Sequence, residues 1–209
     1  MKAVRPLRCE DIPAPKSKLP EDFWAGERAA TDLEIGCGVG RHPLRYCQNN
    51  PRRRLIAVEK SPVRCRSMKV VMEKEGRPSN LLLLHEHASS VLCHLIPESS
   101  ISRVFILYPN PYPKAKHLNQ RWHAHSIMHR ILKVLCAEGE VLMRSNIESY
   151  MIEAKEYFQD HWNLKVNHLK SFSKEDQKDP WTHFEKKYLD RGQKCFELSV
   201  CKPLNWKKP

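Results

Sequence analysis

Residues 32–40 read DLEIGCGVG, an apolar strand that runs directly into three glycines at alternate positions, with Glu34 two places before the first. Leu33 and Ile35 alternate as strand residues do, and Gly36, Gly38 and Gly40 let the backbone turn tightly where a Cβ would collide with a ligand. The helix that follows aims its N-terminal amides at that ligand. A dinucleotide fingerprint needs its third glycine one place later, where this chain has Arg41. The tighter turn therefore suits a smaller nucleoside-like ligand, against the alternative of an ordinary strand-to-helix connection.

The pattern downstream supplies the frame. Strands are predicted over RLIAVE (54–59), LLLLHE (81–86), ISRVFILY (101–108) and GEVLMRS (139–145), with two more at 164–170 and 194–201. Helices are predicted over 41–49, over 62–75 between Pro62 and Gly76, over 89–96 and over 147–160. The longest helical stretch is expected over 118–137, closed by Gly139. This alternation belongs to a doubly wound α/β sheet covered on both faces, which binds ligands beyond the C-terminal ends of its strands. Residues 1–28, proline-rich and of mixed charge, are expected to form a flexible arm without its own core, and 29–209 a single domain.

Charge points to a class of partner. The chain of 209 residues has 36 Lys and Arg against 24 Asp and Glu, a net charge of +12. The basic residues fall in short clusters, among them Arg52–Arg54, then Lys60 with Arg64, Arg66 and Lys69, and Lys114 with Lys116 and Arg121. An anionic macromolecule such as RNA explains the whole set better than solubility does. The eight cysteines are dispersed without a Cys-x-x-Cys, and the first residues lack the apolar core of a signal peptide. A reducing cytoplasm, no membrane association and no metal site are expected; either a monomer or a homodimer is compatible.

Two further places carry chemistry. Glu59 ends the second strand, where a nucleotide-binding sheet offers a carboxylate to both ribose hydroxyls. No phosphate-gripping loop lies near it, so a charged sulfonium nucleoside fits a pocket with Glu34 and Glu59 better than a nicotinamide dinucleotide. The fourth strand runs into YPNPYPKAKH (108–117), three prolines in five residues with an amide, an aromatic ring and cations. Asn110 can hydrogen-bond a flat base, Tyr112 can stack on it, and Lys114, Lys116 and His117 can meet a polyanion backbone.

On these residues the stretch 31–201 resembles the bacterial tRNA (guanine-N7)-methyltransferase family, which methylates a guanine in the variable loop of tRNA. The glycine loop and Glu59 match that family. So do Pro109, Asn110, Pro111, Tyr112, Lys114 and His117, against its Pro-Asp-Pro-Trp-x-Lys-x-x-His loop. Thr182, Phe184 and Glu185 match its Thr-x-Phe-Glu, and Arg191 and Gly192 its following Arg-Gly. The resemblance implies the mostly parallel seven-stranded Rossmann-like sheet of class I S-adenosylmethionine-dependent methyltransferases, that cofactor, and tRNA as partner. It implies a cofactor site of Glu34, Gly36, Cys37, Gly38, Gly40, Glu59, Lys60, His87 and Asn110, with Asn110 also at the reacting centre. It implies a substrate site of Tyr112, Lys114, His117, Arg121, Asn146, Thr182, Phe184 and Glu185.

The chain also departs from the family. Asn110 and Asn146 replace aspartates, Tyr112 a tryptophan and Gln120 an arginine, while His87, next to Glu86, stands at a cofactor-side aspartate. Two readings stay open. One is a transferase, with Glu185 supplying the missing charge. The other is an RNA-binding protein of the same fold whose transfer is lost or redirected, for example to an exocyclic amine, since Asn-Pro-Tyr also resembles the Asn-Pro-Pro-Tyr loop of amino-methyltransferases.

Overall fold

The computed structural model describes residues 4–24 and 30–207. Strands β1 (Thr31–Ile35), β2 (Arg54–Glu59), β3 (Leu81–His85), β4 (Ile101–Leu107), β5 (Leu135–Ser145), β6 (Lys165–Phe172) and β7 (Cys195–Cys201) form one sheet. Their order is β3-β2-β1-β4-β5-β7-β6. β7 runs antiparallel to β5 and β6, and the other neighbours pair in parallel. The order reverses between β1 and β4, which creates a crevice at the strand ends.

Strand side chains alternate between two unlike faces. One face gathers Leu33, Ile35, Ile56, Val58, Val104, Ile106, Val141 and Met143 against α3 (Ala88–His94), α4 (Met128–Val134) and α5 (Glu148–Glu156). Each such side chain contributes roughly 1.5–3 kcal/mol by leaving water. The opposite face packs Leu55, Ala57, Phe105 and Leu142 against α1 (Arg41–Asn49) and α2 (Pro62–Glu75), but it also buries Asp32, Glu34, Arg144, Glu197 and Ser199. Those polar groups come in pairs, as interior charges must: Arg53 donates to Asp32 at 2.7 Å, and Glu34 meets His42 Nδ1 at 2.7 Å.

Local signals account for the helix ends. Ser61 caps α2, with Pro62 in its first turn, and Gly76 (φ +85°) ends it. The long helix expected over 118–137 does not form. Residues 115–120 and 122–124 make two short 3-10 segments, α4 has seven residues, and β5 begins at Leu135. Arg121 and His125 are extended (ψ 132° and 142°), and His125 Nδ1 accepts the Ile127 N–H at 3.0 Å, a local bond that competes with the helical ladder. Gly139 lies inside β5, in the irregular stretch between Leu135, which pairs with Ile101 of β4, and Glu140, which pairs with Arg103.

A sixth helix, α6 (His183–Asp190), was not expected. Thr182 caps it, accepting from the Glu185 N–H at 3.0 Å, so Thr-x-x-Glu here marks a helix start. Residues 4–24 of the proline-rich arm, which has no core of its own, lie against the domain. Leu19, Phe23 and Trp24 pack on the main core, Trp24 Nε1 donates to the Leu95 carbonyl, and Arg54 donates to that of Phe23. The expected boundary at residue 28 falls outside the described residues.

Candidate functional site

A cavity of about 700 Å³ opens at the C-terminal ends of β1, β2, β3 and β4. Its floor is Ile35, Gly36, Val58 and Leu107; Glu59, Lys60 and Arg64 line one side, and Glu86, His87 and Ser89 another. Tyr108, Asn110 and Tyr112 enter from the loop after β4, with Gln120, Trp122 and His125 behind them and Phe184 and Tyr188 across from α6.

The glycine loop forms through its own backbone. Gly36, Gly38 and Gly40 all have positive φ (74°, 63° and 87°). A Cβ at Gly36 or Gly38 would meet no protein atom within 4 Å, so conformation sets the requirement there; at Gly40 it would also lie 2.5 Å from Met68 Cγ. The N–H groups of Gly36 and Cys37 donate to the Val58 carbonyl, and that of Gly38 donates to Glu59 Oε2 at 2.9 Å. Glu59 Oε1 accepts from Ser61 N–H at 2.8 Å, and the carboxyl group is only 3% exposed. Each carboxylate oxygen keeps capacity for a further bond.

Two residues expected beside the cofactor face elsewhere. Glu34 is on the opposite sheet face from Ile35, paired with His42 inside the domain. The Cys37 thiol sits 3.9 Å from Met68 Sδ, and burial raises its pKa, so it packs as a small hydrophobe. Gly38 and Gly40 shape the loop from behind, whereas Gly36, Glu59, Lys60, His87 and Asn110 reach the cavity.

The loop after β4 is held under strain. Tyr108 and Tyr112 have φ of +51° and +45°, each costing on the order of 1–3 kcal/mol in a non-glycine residue. Asn110 is exposed, and its Oδ1 accepts the Tyr112 N–H at 3.2 Å. Arg121 Nε donates to the Tyr112 carbonyl at 3.1 Å, and its guanidinium also pairs with Glu153. Arg121, expected to touch substrate, thus anchors the loop to α5.

Glu185 likewise turns away from the cavity. It is 0% exposed and accepts from Tyr108 Oη, Arg144 Nη1 and the Trp181 N–H. Arg144 lies 3.4 Å from the Trp181 ring centre and also pairs with Glu197. Burial alone would raise the Glu197 pKa, but Arg144, Lys170 and His168 outweigh it and hold it down at about 2. Thr182 serves as helix cap, and Asn146 donates to Gln193 Oε1 at 3.4 Å. Lys114 and His117 lie beyond the cavity wall, with the His117 ring edge-on to Tyr112 at 6.1 Å. Phe184 does line the cavity, 42% exposed for a large apolar side chain, with the Arg64 guanidinium 6.0 Å from its ring centre.

Sequence reasoning missed Tyr108, Arg64, Trp122, His125 and Tyr188 as cavity residues. Tyr188 lies one helical turn from Phe184 on α6, Arg64 sits in the first turn of α2, Tyr108 directly follows β4, and Trp122 and His125 depend on the broken helix. Among the described residues, no group of three or more His, Cys, Asp or Glu could hold a metal ion, and no helix is long and apolar enough to cross a membrane.

This sheet order, with the cavity at its switch point, defines a class I methyltransferase-like α/β domain. Solved structures agree on the fold. An antibiotic-related methyltransferase matches with a TM-score of 0.64 at 16% identity, over 89% of this chain and 95% of its own. The 16S rRNA methyltransferase KamB matches with a TM-score of 0.62 at 17% identity, over 90% and 97%. The model of the family described as "Putative methyltransferase" matches residues 28–198. The tRNA (guanine-N(7)-)-methyltransferase of Chlorobium phaeobacteroides is 30% identical over 79% of this chain and 78% of its own. That of Chelativorans sp. is 33% identical over 68% of this chain, and the match spans 60% of the relative's length. The chain is a divergent member of the tRNA (guanine-N7)-methyltransferase family.

Proposed function

We propose that the chain is an S-adenosylmethionine-dependent methyltransferase that modifies N7 of the variable-loop guanine of tRNA in the cytoplasm. Glu59 is the observation that carries this reading. It is a nearly buried acid on the cavity wall, anchored by one backbone N–H on each oxygen and able to accept two more hydrogen bonds. Those free acceptor positions fit the hydroxyls of a ribose, and the exposed Gly36 and the flanking Lys60 and His87 complete the cofactor side.

When bound, S-adenosylmethionine supplies an electrophilic methyl group on a cationic sulfur. Guanine N7 offers an in-plane lone pair and carries no proton, so the chain needs no general base. Its task is alignment and solvation of the cationic product base. Asn110, exposed at the cavity, orients the base through its amide, while Tyr112 and Phe184 present ring faces. Lys114 and His117, on the rim, meet the RNA backbone. Glu34, Arg121, Thr182 and Glu185 act indirectly, by fixing the elements that carry these groups.

The test is transfer of labelled methyl groups from S-adenosylmethionine to unmodified tRNA, followed by nucleoside analysis. The expected product is 7-methylguanosine. Salt-dependent tRNA binding without transfer supports the RNA-binding reading instead, and label on an exocyclic amine supports a redirected enzyme.

A further inference from the structure

Tyr108 leaves β4 with φ +51°, a conformation that a residue with a side chain keeps only where its surroundings over-determine it. Three contacts do so. Its N–H donates to the Arg144 carbonyl at 2.8 Å, its hydroxyl donates to Glu185 Oε2 at 3.0 Å, and its ring centre lies 5.9 Å from that of Tyr188. Glu185 is a fixed point. It has no exposed surface, and Trp181 N–H at 2.9 Å and Arg144 Nη1 at 3.1 Å hold the same carboxylate. Arg144 is itself immobilised by Glu197 and by the face of Trp181.

We propose that Tyr108 is a positioning residue for methyl transfer: tethered through its hydroxyl to Glu185, it sets the direction in which Pro109, Asn110 and Pro111 enter the cavity. The consequence for turnover rests on the methyl-transfer reading; the tether itself does not. Two prolines with fixed φ flank Asn110, so rotation at Tyr108 passes to the amide with little damping. At the other end Arg121 holds the Tyr112 and Pro113 carbonyls. Asn110 therefore stands between two clamps, one reaching α5 and one reaching α6. The second clamp ties the loop to the helix whose Phe184 and Tyr188 line the same cavity. Burial, and then the Glu185 charge, hold the phenol well above its ordinary range, so the hydroxyl remains a donor through neutral pH. Alignment of this kind is demanding, since a displacement of about 1 Å can cost about a hundredfold in rate.

Tyr108→Phe keeps the ring and removes the tether, and Tyr108→Gly removes the tether while relieving the backbone strain. Hydrogen exchange at the Tyr112 amide is expected to speed up about tenfold or more in both, with the β4 amides unchanged. In Tyr108→Phe, kcat for methyl transfer is expected to fall about tenfold at saturating cofactor and tRNA, with each KM within about twofold. Unchanged Tyr112 exchange in both variants overturns the tether. Faster exchange with parental kcat overturns its role in transfer. Faster exchange in a protein whose parent transfers no methyl group to tRNA supports the tether and refutes the methyl-transfer reading.

Discussion

Along the wall from Gly36 to Lys60, the cavity is shaped by backbone amides and one carboxylate, through bonds that reach at most from Gly36 to Val58. The wall from Tyr108 to Arg121 is held by side chains distant in sequence: Tyr108 to Glu185, 77 residues away, and Arg121 to Glu153, 32 away. The first wall is local and carries its determinants between residues 36 and 61. The second is assembled by tertiary contacts, and it carries Asn110, Tyr112 and Gln120, which the sequence sets apart from the family's loop pattern. The two halves of the proposed site, for cofactor and for base, thus rest on separable supports.

The largest effect is expected at the local wall. Glu59→Ala removes the proposed ribose acceptor and both loop anchors, and S-adenosylmethionine affinity measured by calorimetry should fall at least about a thousandfold, or about 4 kcal/mol. Affinity within about tenfold of the parent would place the cofactor elsewhere. Acid should attack the second wall. The Glu197 pKa is depressed in the folded protein to about 2, so its stabilisation is full above the ordinary value of 4.5 and is lost as pH falls from there towards 2. That contribution is roughly 3 kcal/mol. Urea unfolding from pH 6 to 3 should show the decline, and Glu197→Gln should flatten it; an equally steep decline in the variant contradicts the assignment.

Smaller effects sharpen the contrast. Gly40→Ala combines φ +87° with a Cβ against Met68, and it should cost about 2 kcal/mol in denaturant unfolding. Alanine at parental stability would mean that the turn tolerates side chains. Asn110→Asp restores a charge beside the developing cationic base and should raise kcat about threefold at neutral pH, with cofactor affinity unchanged. A loss of turnover would show that the amide is the better partner for this chain's substrate.

What could be read from the sequence follows the same division. Strands β1 to β5, the Ser61-Pro62 helix start, the Gly76 stop and the glycine turn each carry their cause within a few residues. The break at 121–127 was hidden because no Gly or Pro marks it: Arg121, a good helix former, leaves the helix for contacts with Tyr112 and Glu153, and His125 for the Ile127 amide. Glu185 suggested a substrate acid because nothing local reveals Arg144 beneath it. The arm's docking was not legible because its partners are distant in sequence, as where Trp24 Nε1 donates to the Leu95 carbonyl, 71 residues on.

The position of the transferred methyl group tests the central claim most directly. Alkylation at guanine N7 makes the base reducible by borohydride and the RNA chain scissile with aniline, so the modified nucleotide can be mapped by strand cleavage. After incubation with S-adenosylmethionine and this protein, an unmodified tRNA transcript with a variable-loop guanine should break at that one guanine. Methyl label in the RNA without such cleavage would contradict transfer to N7.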